Sequence, residues 1–154
     1  MLKMKKRILL TVTVVLTAAI FIHSAMPADM SSDESGFILR LFEKLAEIFH
    51  APSVFNEYTI RKFAHFTEFG VFGFFLSWTV REYCGGFKGQ IFKVLFFLLS
   101  TPVADETIQY FSEGRSSQVK DVLLDFSGAV TGFAAIALIA AVIQRIHKKR
   151  EKSN

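Results

Sequence analysis

The chain has 154 residues, a formal charge of +4, 18 Phe and one Cys. That length suits one domain. A lone cysteine, Cys84, rules out an internal disulfide and a cysteine-based metal site, and a basic excess gathered at the two ends makes nucleic acid a poor partner.

Apolar residues lie in blocks with the charges between them, and crossing hydrocarbon as a helix takes about 20 mostly apolar residues. The first block, residues 8–25, reads ILLTVTVVLTAAIFIHSA. Its basic start and small residues near Ala25 also fit a signal peptide. The block is long for one, and Met26-Pro27 continues a cleavage site poorly, so it reads as an uncleaved anchor helix. Next, SGFILRLFEKLAEIFHAP sets Ile38, Leu41, Phe42, Leu45, Ile48 and Phe49 on one stripe, with Arg40, Glu43, Lys44 and Glu47 opposite. Ser35 can cap it and Pro52 stops it, which predicts an amphipathic interfacial helix over about 36–50.

Three more blocks follow, at residues 60–80, 91–111 and 122–144. The second and third of the four blocks carry charges and are marginal by hydropathy alone. The expected fold is all-α: a four-transmembrane-helix bundle with the interfacial helix in its first extracytoplasmic loop, one domain over 1–154. Twelve of the 18 Lys and Arg fall at the two ends, in the gap after the second block and at the start of the third. The positive-inside rule then puts both termini in the cytoplasm, with residues 26–59 and 112–121 outside.

On this orientation three helices carry polar groups to one depth. Arg61, His65 and Glu68 share a face at i, i+4, i+7. Asp105 and Gln109 are four apart, with Glu106 on the adjoining stripe. Asp121, Asp125, Gly128 and Gly132 step by four, three and four; the last two form a GxxxG, a close-packing seam. At about 1.5 Å per residue these polar groups lie within roughly 12 Å of the outer interface. Pro102 is expected to kink or loosen its helix just before the acids. An intramembrane ionisable residue is a functional hypothesis by default. The plainer readings are a structural network with Arg61 and Arg115 as counter-ions, and Arg61 and Lys62 each snorkelling to head groups. His65-Phe-Thr-Glu68 alone is too little to assign a metal, and His23, His50 and His147 show no partners in sequence.

Three of these stretches, RKFAHFTEFG (61–70), DETIQYFSEGR (105–115) and VKDVLLDFSGAVTG (119–132), resemble in order and spacing the motifs of the VanZ-like family of bacterial membrane proteins. HSAMPADMSSDESG is similar to that family's Ser-rich exit from its first helix. The resemblance implies a small four-helix membrane protein and a link to resistance to the glycopeptide antibiotic teicoplanin. It supplies no reaction.

Arg61, His65, Glu68, Asp105, Glu106, Gln109, Arg115, Asp121 and Asp125 are therefore the candidate ligand-binding residues, expected to form one cluster. Arginine forks suit phosphate, and the outer leaflet offers lipid-linked phosphates. The expected partner is a membrane lipid or a lipid-linked envelope precursor; no cofactor is assigned. The alternatives are an intramembrane enzyme using His65, Glu68, Asp105 and Glu106, and a small proton- or ion-coupled carrier, for which acids at one end make a poor path.

Overall fold

The computed structural model describes residues 2–28, 30, 36, 39–40, 44 and 56–151. Four helices account for most of them: α1 (Leu2–Ser24), α2 (Glu57–Cys84), α3 (Ile91–Tyr110) and α4 (Val119–Glu151). The interfacial helix expected over 36–50 lies outside the described residues except at Gly36, Leu39, Arg40 and Lys44.

The helix ends follow local chemistry. Asn56, in extended backbone, caps α2 by accepting the Thr59 N–H at 2.8 Å. Gly85 ends it with φ 73°, a left-handed turn that costs glycine nothing. α1 starts before its apolar block, and α4 runs beyond its own, because hydropathy marks apolar residues and not helix ends. Lys and Arg are good helix formers. Lys148, Lys149 and Arg150 in the last turn of α4 also complement the negative end of the helix dipole. α3 runs through Pro102 as one helix. The proline removes one donor, the one that would have bonded the Leu98 carbonyl.

The helices run alternately up and down. At one end the Lys5 ammonium of α1 meets Glu82 of α2 at 3.0 Å and stands 5.5 Å from the Trp78 ring centre. That hydrogen bond holds the Glu82 carboxyl below the usual carboxylate range. Midway, the Thr13 and Thr79 hydroxyls pair at 2.9 Å. At the other end the close of α1 and α3 meets the start of α2 and α4. α2 packs most extensively on α4, α1 lies on α2 and α3, and α3 also lies on α4.

Small residues set the α2–α4 contact. A Cβ at Gly128 would overlap the carbonyl oxygen of Phe66, and one at Gly132 that of Gly70. From the other side, a Cβ at Gly73 would overlap the carbonyl oxygen of Ala129. The two backbones touch here, so even alanine does not fit. Around the seam, Ile20, Phe69, Phe72, Val94, Leu98 and Ala129 form the apolar core. By length and composition, two helices among the described residues can cross a membrane: residues 3–24 of α1, and α4.

Candidate functional site

The buried stripe of α3 changes character along its length. It starts as Val94 and Leu98, passes Thr101 and Pro102, and ends in Asp105, Glu106 and Gln109. The same face that packs the core therefore delivers three polar side chains to the end of the bundle where α1 stops and α4 begins. Buried polar groups need partners, and each of the three finds a different one.

Asp105, 1 % exposed, accepts from the Ser24 hydroxyl of α1 and, at 2.7 Å, from the Gln109 amide one turn on. Glu106 turns away from it and accepts the backbone N–H of Gln118 at 2.9 Å, immediately before α4. The bond ties the end of α3 to the start of α4, where the positive end of that helix favours a carboxylate. Asp125, on the first turns of α4, is 0 % exposed. His65 of α2 reaches it, Nδ1 to Oδ2, at 3.6 Å. One ligating atom from each of His65, Asp105 and Asp125 lies within 4.8 Å of the others.

A cavity of about 170 Å³ opens above this trio. Arg61, Lys62 and Arg115 line it together with His65, Gln109, Asp121 and Asp125. Lys62 forms an ion pair with Asp121. Arg115 sits in the α3–α4 loop just after Gly114, whose φ of 72° turns the chain back over the helix ends. The arginine donates Nη2–H to the His23 carbonyl at the end of α1, 3.2 Å away. Ser112 bonds the Ser24 carbonyl at 2.8 Å, and the Ala28 N–H bonds the Glu113 carbonyl at 3.0 Å. The loop is thereby tied to the end of α1 at two points and to the segment just after it at a third.

Of the nine residues proposed from sequence, six line the cavity, Arg61, His65, Gln109, Arg115, Asp121 and Asp125, and Asp105 lies behind them, bonded to Gln109 and Ser24. Glu68 and Glu106 are placed differently. Glu68 approaches His23 Nδ1 at 3.7 Å, beside the trio, and Glu106 holds the start of α4. Sequence reasoning passed over Ser24, Lys62 and His23. The His23 ring lies 6.0 Å from that of His65. The available signal was depth: His23 and Ser24 are the polar residues ending an apolar helix, level with His65 and Asp105.

Three cations around a small cavity, over an imidazole and two carboxylates, can bind an anion and hold or move a proton beneath it. The family model described as VanZ/LLP1 matches residues 9–140. No curated protein matches the chain, and no solved structure does.

Proposed function

The chain belongs to the VanZ/LLP1 family, and from that premise we propose that it is a multi-pass membrane protein that binds a phosphate head group at this cavity. The ligand on this reading is a lipid phosphate or lipid-linked envelope precursor in the outer leaflet of the bacterial cytoplasmic membrane. Its capture would reduce the access of lipophilic glycopeptides such as teicoplanin.

The observation that carries the reading is the cavity itself. Arg61, Lys62 and Arg115 converge on it from two elements. At about 170 Å³ it is smaller than the roughly 300–1,000 Å³ of pockets for drug-sized ligands, so it suits a head group and not a whole antibiotic. Outward-facing apolar side chains support the four-span reading. Phe92 is 89 % exposed on α3, with Phe63 on α2 and Phe96 and Val103 on α3 also exposed, a surface fit for lipid and unfit for water. The charges of α2 and α3 that depress their hydropathy sit mostly at the cavity or the helix ends.

Titration of inorganic phosphate, and separately of a short-chain lipid phosphate, into the full-length protein in nanodiscs tests this. Both should bind, the lipid more tightly, and Arg61→Gln should weaken both about tenfold or more, a charge-assisted hydrogen bond contributing about 1.5–3 kcal/mol. Wild-type protein that binds neither would end the reading.

Sidedness is tested in intact cells with a membrane-impermeant thiol reagent, on a Cys84→Ser background. Ser53→Cys should label and Ser153→Cys should not, since positive charge gathers at the two termini. The reverse pattern would move the cavity to the cytoplasmic side. A second reading, an enzyme acting on such a lipid, is favoured by one observation, the close grouping of His65 with two buried carboxylates.

A further inference from the structure

Asp125 poses a problem that the phosphate reading does not solve. It is fully buried, yet neither of its carboxylate oxygens accepts a hydrogen bond from any described residue. A buried carboxylate without hydrogen bonds is costly. Asp105 adds a second carboxylate to the same small space. Lys62 is engaged by Asp121, and His65 at 3.6 Å brings at most one positive charge to two acids.

We propose that His65, Asp105 and Asp125 bind a divalent metal ion at the floor of the cavity. One imidazole nitrogen and two carboxylate oxygens are a donor set that zinc and manganese accept. Two negative charges with a neutral imidazole balance a dication. The distances suit the assignment: ligands about 2.1 Å from a shared ion are separated by at most about 4.2 Å. The pair at 3.6 Å already meets that limit, and one donor atom from each of the three residues lies within 4.8 Å of the others, so little side-chain movement is needed. Asp105 also has the outer support that metal-ligating carboxylates carry, from Ser24 and Gln109. Three protein ligands leave the remaining coordination positions facing the cavity, where an anion would be a further ligand.

The test uses full-length protein in nanodiscs, stripped with chelator and then given Zn2+ alone or Mn2+ alone. After desalting, elemental analysis should find roughly one ion per chain. His65→Gln and Asp125→Asn should each weaken binding by more than the roughly 10–100-fold that loss of an outer partner costs, and Ser24→Ala should fall within that range. Wild-type stoichiometry and affinity in both ligand variants would overturn the proposal. Should either variant fail to accumulate, electron paramagnetic resonance on the Mn2+-loaded wild type still decides. Coupling to a single histidine nitrogen supports the site, and its absence, or failure of the wild type to retain any ion, overturns it. Inorganic phosphate titrated into the metal-free protein reads the cavity's cations alone. Phosphate binding without metal binding sinks this inference and spares the phosphate reading, and metal binding without phosphate binding does the reverse.

Discussion

Gly128→Leu should prevent the four helices from assembling. The carbonyl oxygen of Phe66 already occupies the place a Cβ would take, so a leucine there cannot be absorbed by turning a neighbouring side chain. The backbones of α2 and α4 must separate, and this contact is the most extensive in the bundle. Overpacking a core against side chains costs typically about 1–3 kcal/mol; against fixed backbone the loss should reach or exceed the top of that range. Ser127→Leu is the control. Ser127 is the adjacent residue and is exposed, so its change should stay within about 0.5 kcal/mol. Asp125→Asn keeps the shape of its side chain and should leave the fold assembled. Thermal unfolding in detergent and the amount of protein recovered from membranes both report the outcome. A Gly128→Leu protein as abundant and as stable as Ser127→Leu would show that α2 and α4 do not meet this closely.

The parts of this structure that repeat were legible in the sequence, and the parts that occur once were not. GxxxG on an apolar helix states a close approach by its spacing, and Asp105 and Gln109 one turn apart state a shared face. Helix termini were less legible, because α1 and α4 continue through charged residues that hydropathy discards. Pairing across helices was the least legible. Lys62 next to Arg61 reads as an interfacial cation until α4 brings Asp121 beside it. Glu106 adjoins Asp105 in sequence, but neighbours on a helix point about 100° apart. That angle sends one to Ser24 and Gln109 and the other to the backbone of Gln118. Ser24 and His23 carry no periodic signal at all, since each does its work at a helix end, against a partner more than 40 residues away.

Arg115→Lys should weaken phosphate binding by about 10–100-fold, with 1.4 kcal/mol for each factor of ten. The substitution keeps the charge, so a purely Coulombic role would pass unnoticed. What it removes is the fork. The guanidinium offers five N–H donors in one plane, so the side chain that holds the His23 carbonyl, as Nη2 does at 3.2 Å, also lines the cavity. A lysine has three donors on one atom at the end of a flexible stem and cannot serve both places in a fixed geometry. Two losses then appear together: a looser loop against α1 and a weaker anion site. Measured side by side, they separate the roles. If the melting temperature falls while phosphate binds as tightly as to the wild type, Arg115 is a strut between the loop and α1, and its part in the anion site is refuted. If the melting temperature holds within a few degrees and affinity falls, the fork is what the ligand reads. The same pair of measurements on Arg61→Lys, for which no backbone tether is present among the described hydrogen bonds, should show the second pattern alone.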